Sequence, residues 1–374
     1  MNTRIRCVTT TGVVSVLLVS LSACGGLLPG GDGGSSEPTH KGNDVKIGLL
    51  LPEKETTRYE KFDHPGIEAK VAELTEGQGE LVYANAEQDA QEQSRQLQRM
   101  IDAKVDALIV DPVDAEAIAP SVQKAKDAGI PVIAYDRLAQ GPVAAYVGFD
   151  NELVGQTQGK ELLLALGENA GRRSQVVMIN GAPSDPNAAQ FKEAARAELA
   201  NTVTVAKSYD TADWKAQNAK AEMKQAIASI GASRIAGVYS ANDGMAAGVV
   251  EALREAGVTK MPPITGQDAE LAAVQRILTG DQYMSVYKPY AKEAATAAEM
   301  AVRIAQGRTI EFEALAADRT NSPTTKQIRT ASVSVVALKR DNIKSTVIKD
   351  KFFKVSEICT GKYAAACAEA GLTK

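Results

Sequence analysis

Beyond Asp44 the chain repeats one pattern: a short continuous apolar run, a helical stretch of about 12 residues, then another apolar run. The runs at 45–51, 80–84, 107–110 and 131–135 predict strands. The segments 66–75, 89–103 and 115–128 carry helical spacing between them. Runs such as ALIV and PVIAY are apolar throughout rather than alternating, which predicts strands buried on both faces of a parallel sheet. The pattern resumes at 175–179, 202–206, 235–239 and 263–265. The fold class this predicts is α/β, with two doubly wound parallel-sheet lobes.

An internal echo supports two lobes. Residues 106–136 and 236–268 both run strand, helix, Ala-Gly turn, Pro, strand and then Asp. Ligands of parallel sheets bind beyond the C-terminal strand ends. Asp136 and Asp268 are therefore expected at comparable positions, one per lobe, facing a shared cleft. The alternative for each is a structural cap on the next helix.

The first residues follow a different rule. Arg4 and Arg6 precede an apolar run over 8–20, too short to span a bilayer as a helix. It closes on Leu21, Ser22, Ala23 and Cys24, which resembles the lipobox of bacterial lipoproteins, with Cys24 as the lipidated N-terminus. Residues 25–43 are rich in Gly, Pro and Ser and read as a flexible spacer. The expected place of work is the outer face of the cytoplasmic membrane, held by the lipid.

Composition removes other classes. Hydrophobic residues are 44% and charged residues 24%, ordinary for a globular protein, and the formal charge of −4 gives no case for nucleic acid. The only histidines are His40 and His64, so a histidine-based metal site is not expected. Of four cysteines, Cys359 and Cys367 remain near the C-terminus. They are expected to pair in an oxidising exterior, a reactive thiol or metal pair being the alternative.

Polar residues follow nearly every strand. Arg58 and Tyr59 come after the first, then Asp111, then Asp136 and Arg137. The second half adds Asp185, Asn187, Trp214, Asn242, Gln267 and Asp268, and Lys288 stands near the return to the first lobe. Carboxylates accept hydroxyl protons, cations donate to hydroxyl oxygens, and an indole covers an apolar C–H face. This chemistry suits an uncharged polyhydroxylated ligand, and a lone Trp suits a monosaccharide better than a chain of sugars.

The segments IAYDR (133–137), GFDNELVG (148–155), GAPSDPNA (181–188), SAND (240–243), GQDAE (266–270) and VYKP (286–289) carry a resemblance. From residue 46 to about 354 the chain resembles the periplasmic sugar-binding proteins of the ribose/xylose class. That resemblance implies the type I periplasmic binding protein fold, with a hinge crossed three times near 146–149, 286–288 and 320–331. Lobe one is then 44–147 plus 288–325, and lobe two 148–287 plus 326–356. Residues 1–23 are the signal, 24–43 the anchor and linker, and 357–374 a tail beyond the family pattern.

The same resemblance implies roles. Arg58 and Lys288 donate to sugar hydroxyls, Asp136 and Arg137 hold one edge, and Asp185, Asn187, Asn242 and Asp268 hold the other. Tyr59 and Trp214 sandwich the ring. Tyr59 stands where the family commonly has Trp. Residues 52–54 resemble the multi-sugar branch, and 287–289 the xylose branch. The implied function is that of a monomeric lipoprotein, neither enzyme nor cofactor-dependent. It carries D-xylose or a similar aldopyranose to the permease of an ATP-binding-cassette importer. A multi-monosaccharide carrier and a sugar or furanosyl-signal receptor feeding a sensor or chemoreceptor are the alternatives. A glycosidase is disfavoured because cations interleave with the carboxylates, and a regulator because no helix-turn-helix precedes the lobes.

Overall fold

The computed structural model describes residues 41–372; the expected export signal and lipidation site Cys24 lie outside the described residues. The first-lobe strands are β1 (Lys46–Leu51), β2 (Glu80–Asn85), β3 (Ala107–Val110), β4 (Val132–Tyr135) and β5 (Ala145–Phe149). The second lobe contributes β6 (Gln175–Asn180), β7 (Thr204–Asp210), β8 (Ile235–Ser240) and β9 (Ser285–Tyr287). The chain then adds β10 (Asp318–Thr320), β11 (Ile328–Val333) and β12 (Val336–Leu338).

The large sheet runs β10-β11-β5-β4-β3-β1-β2, and only β10 is antiparallel to its neighbour. Every side chain of β3, β4 and β5 is buried, as their uninterrupted apolar runs require. One face packs on helices His64–Leu74 and Tyr290–Ala305, where Ala294, Ala297, Ala298 and Ala301 let the second helix lie close. Leu97, Met100 and Val122 cover the other face.

In the second lobe β7-β6-β8 is parallel. The expected strand at 263–265 is reduced to the single bridge Val238–Ile264, because Pro262 and Pro263 have no N–H to donate. A second bridge, Gln267–Val286, leads to β9, which pairs antiparallel with β12. The helix expected at 66–75 starts earlier, at His64, and a π-helical turn, Tyr59–Asp63, precedes it.

The lobes are joined by three crossings: after Phe149, after Tyr287, and between Val333 and Val336. The third falls later than the expected 320–331. Ser332 and Val333 pair with Gly148 and Phe149, so 328–333 and 148–149 extend the sheet of lobe one rather than opening lobe two. The C-terminal segment then caps the second lobe, with Ile343, Val347, Phe353 and Ile358 buried against Val274, Ile277 and Leu278. Cys359 and Cys367 are joined as a disulfide within that cap.

Gly155 marks a contact on which the site's placement rests. A Cβ there would lie 2.3 Å from the carbonyl oxygen of Phe191, where helices Asn151–Leu166 and Pro186–Leu199 meet. Alanine gains about 1 kcal/mol of helix propensity over glycine, but forcing the helices apart costs about 1–3 kcal/mol. Gly155→Ala is therefore expected to lower stability in a urea unfolding experiment, and an unchanged or raised midpoint would contradict this packing.

Candidate functional site

Arg58 ends the loop that leaves β1 and is almost fully buried, its side chain 3% exposed. Its Nε donates to Asp63 Oδ2 at 2.7 Å, Nη1 to Asp136 Oδ1 at 3.0 Å, and Nη2 to Glu293 Oε2 at 2.7 Å. The Tyr290 ring lies against the guanidinium, with its centroid 4.2 Å from Cζ. Burial works against the Arg58 charge, but Asp136, Asp63 and Glu293 outweigh it and raise the guanidinium well above its usual range. The π-helical turn accounts for this geometry. It widens the chain at Tyr59–Asp63, so that Asp63 turns back to Arg58 and takes a second hydrogen bond from Tyr135 Oη at 2.7 Å.

Asp136 follows β4 with φ of 52°, and Arg137 N donates to Tyr135 O across it, closing a tight γ-turn. Its N–H donates to Val147 O at 2.9 Å. Burial tends to raise the Asp136 carboxyl, yet Arg58, Lys288 and Arg137 hold it below the usual carboxylate range. Asp268 shares the positive φ and the bond to a neighbouring strand in lobe two, but not the γ-turn, since Ala269 N donates to Ser285 Oγ at 3.0 Å. Its φ is 94°, its N–H donates to Val286 O at 2.9 Å, and Oδ1 lies 3.4 Å from Lys288 Nζ. Tyr290 Oη donates to the same Oδ1 at 3.0 Å.

Arg137 faces lobe two. Its Nε is 3.0 Å from Asp185 Oδ2 and 3.7 Å from Asp111 Oδ1, and Nη1 donates to Pro112 O at 3.1 Å. Asp111 is fully buried and neither of its oxygens receives a hydrogen bond among the described residues. Burial lifts its carboxyl well above the usual range against the pull of Arg137. Asp185 and Asn242 each cap a helix, accepting from Asn187 N and Met245 N at 2.8 Å, which fixes both side chains at the edge of lobe two. Asn187 Nδ2 donates across to Asp136 O at 3.0 Å while its Oδ1 accepts from Asn151 Nδ2 at 2.9 Å.

All ten residues selected from sequence (Arg58, Tyr59, Asp136, Arg137, Asp185, Asn187, Trp214, Asn242, Asp268 and Lys288) line one cavity between the lobes. Thr56, Phe191 and Gln267 also line it. Phe191 is one helical turn after Asn187, a spacing that places both on one face, and its ring meets Trp214 edge-on at 6.4 Å. Gln267 adjoins Asp268, and its Oε1 is buried without a hydrogen-bond donor among the described residues. Asp63, Asp111 and Glu293 lie behind the lining; Asp111 is marked by its place after a strand, but nothing in the local sequence of Asp63 or Glu293 distinguishes them from surface acids.

Three cations therefore meet three acids at the cavity: Arg58 with Asp136, Arg137 with Asp185, and Lys288 with Asp268. The groups present no free charge to a ligand, yet retain unused lone pairs and N–H bonds for hydroxyl groups. Among the described residues no cluster of His, Cys, Asp and Glu could hold a metal ion. Two hinged lobes closing on such a lining define a solute-binding protein.

Comparison with known proteins agrees. Residues 47–309 match the family described as periplasmic binding protein domain. The chain is 32% identical to the D-xylose-binding periplasmic protein of Escherichia coli over 321 residues, 84% of this chain and 93% of that one. It is 29% identical over 293 residues to a multiple sugar-binding periplasmic protein of Azospirillum brasilense, covering 73% and 81%. A solute-binding protein of an ABC transporter from Clostridium phytofermentans, solved with bound β-D-glucose, superposes with a TM-score of 0.75 at 26% identity, over 84% of this chain and 99% of that one. The chain belongs to the periplasmic binding protein family, in its ribose/xylose class of sugar-binding members, and is a binding protein rather than an enzyme.

Two predictions test the site's construction. A Cβ on Gly181 would lie 2.0 Å from Trp214 Cη2, so Gly181→Ala must displace the indole. Because Trp214 is the sole tryptophan, its emission spectrum should shift while far-UV circular dichroism is retained; an unchanged spectrum would count against the placement. Glu270, beside Asp268, has its carboxyl pushed up to about 8 by burial and by Asp243 and Asp268. The folded chain holds this proton more tightly than the unfolded chain, whose carboxyl titrates near 4.5, so the group removes stability as pH rises from about 4.5 to about 8. Glu270→Gln should flatten the melting temperature across that window, and an equally steep profile would refute the assignment.

Proposed function

We propose that the protein is an exported lipoprotein, anchored through Cys24, that binds D-xylose or a closely similar aldopyranose and delivers it to the permease of an ATP-binding-cassette importer. The observation that carries the reading is the paired lining. Asp136 and Asp268, one from each lobe, face a single cavity among Arg58, Arg137 and Lys288. A neutral pyranose offers vicinal hydroxyls that both donate and accept, which is what carboxylates and cations already paired with each other can still serve. Each such bond to a charged group contributes about 1.5–3 kcal/mol. A few of them, less the cost of ordering, reach the roughly −8 kcal/mol of micromolar binding.

Trp214, with Phe191 across its edge, supplies an apolar face for the C–H side of the ring, and Tyr59 closes the first-lobe side. Gln267 Oε1 gives one more acceptor for a hydroxyl. The relatives named for D-xylose and for multiple sugars support the ligand class and leave the choice among aldoses to measurement.

Calorimetry with xylose, glucose, galactose, arabinose, ribose and a furanosyl ligand provides the test. An aldopyranose should bind most tightly, and Asp268→Ala should weaken it at least tenfold, about 1.4 kcal/mol. Tightest binding to the furanosyl ligand would instead favour a signal receptor. Unchanged affinity in the Asp268 variant would reject the site.

A further inference from the structure

The three crossings converge on a small apolar cluster. Phe149 opens the first, Tyr290 follows the second and Val333 opens the third, and these residues are buried against one another. Two rings from elsewhere in the chain pack on this cluster. Phe62 belongs to the π-helical turn that begins with Tyr59, directly after Arg58. Phe352 comes from the C-terminal cap, seven residues ahead of disulfide-bonded Cys359.

Phe352 is central to the contacts. Its ring stacks on Phe62 at 4.2 Å and 9°, meets Tyr287 edge-on at 5.2 Å and 82°, and lies 5.5 Å from Tyr290. Phe353 packs edge-on against it at 4.9 Å, and Lys61 Nζ sits 4.5 Å from the Phe353 ring centroid. Lys61 also reaches Glu357 of the cap at 3.7 Å. The partners of Phe352 adjoin ligand-facing groups. Phe62 shares a turn with Tyr59, Tyr287 precedes Lys288, and Tyr290 touches both Arg58 and Asp268.

We propose that Phe352 is a positioning residue of the binding cleft. From the C-terminal cap it wedges between the turn presenting Arg58 and Tyr59 and the hinge strand presenting Lys288, and so sets their separation when the lobes close. The cap is thus part of the binding apparatus and not merely a cover for lobe two. The disulfide at Cys359, two residues beyond the capping turn that Lys354 N makes with Glu357, keeps the segment behind Phe352 in place. This inference rests on the sugar-binding reading above.

The test compares Phe352→Ala, Phe352→Tyr and Ile358→Ala, the last buried in the same apolar cluster of the cap but not itself one of the stacked rings. Each is titrated with the tightest-binding aldopyranose, followed by Trp214 fluorescence and calorimetry, alongside thermal unfolding. Phe352→Ala should weaken binding about tenfold or more, Phe352→Tyr should stay within about twofold, and Ile358→Ala should lower the melting temperature while leaving affinity within about twofold. If Phe352→Ala does not fold, Phe352→Leu, which keeps apolar volume but loses the stacked ring, carries the same expectation. Parental affinity in the alanine or leucine variant overturns the proposal. So does an equal loss of affinity in Ile358→Ala, which would make the effect one of cap stability alone. A parent protein that binds none of the sugars refutes the proposed function and this inference with it, whereas a binding parent with an unaffected Phe352 variant refutes only the inference.

Discussion

The structure depends on one buried guanidinium. Arg58 is bonded to carboxylates from three separate places: Asp63 in the following turn, Asp136 after β4, and Glu293 in the helix that follows the second crossing. Removing a charge from water costs several kcal/mol, and only close pairing with good geometry returns it. With Arg58 in place, the acids pin the turn, the sheet edge and the returning helix to a common point. Without it they would be buried like charges within reach of one another. This explains why a long cation occupies a position where its hydration is lost.

The two aspartates share a second constraint. Asp136 and Asp268 both sit at positive φ, a conformation that costs about 1–3 kcal/mol for a residue with a side chain, although Asp tolerates it better than most. In each lobe the strain is offset by the same bond, from the aspartate N–H to a carbonyl of the neighbouring strand, Val147 or Val286. The turn aims the carboxylate outward past the sheet edge rather than along the next helix. A helix-capping role, the alternative open from sequence, is filled instead by Asp185 and Asn242. The cap residues and the strained residues line the same cavity, so it is lined by groups whose directions are fixed from behind.

The readability of these features follows from where each signal resides. Buried parallel strands such as β3 and β4 were legible because four consecutive apolar residues have few other uses. The Asp136–Asp268 echo was legible because repeated topology repeats its strand ends. The third crossing was not. Polar residues at 321–327 look like a linker, yet Ser322 and Thr325 are bonded within a turn of lobe one, and Thr324 and Thr325 reach back to Gly141. The true crossing lies inside the alternating run 332–338, where composition does not change. Phe191 was missed because an apolar residue inside a helix reads as core, and Glu293 because a helix-borne acid reads as solvent-facing. Their roles come from tertiary neighbours that no local pattern encodes.

Closure of the cleft draws on bonds that the protein makes with itself. Arg137 meets Asp185, Asn187 donates to Asp136 O, and Tyr290 donates to Asp268, each pair bringing together groups from opposite sides of the hinge. A ligand shifts an open–closed equilibrium only through contacts that differ between the two states. A molecule engaging both Asp136 and Asp268 would make a pair of contacts, one from each lobe, that only the closed arrangement offers together. Under the proposed function, a pyranose ring with hydroxyls on opposite edges would meet that condition. Selection for ligand span would then follow from the placement of two strained aspartates on opposite lobes of one cavity.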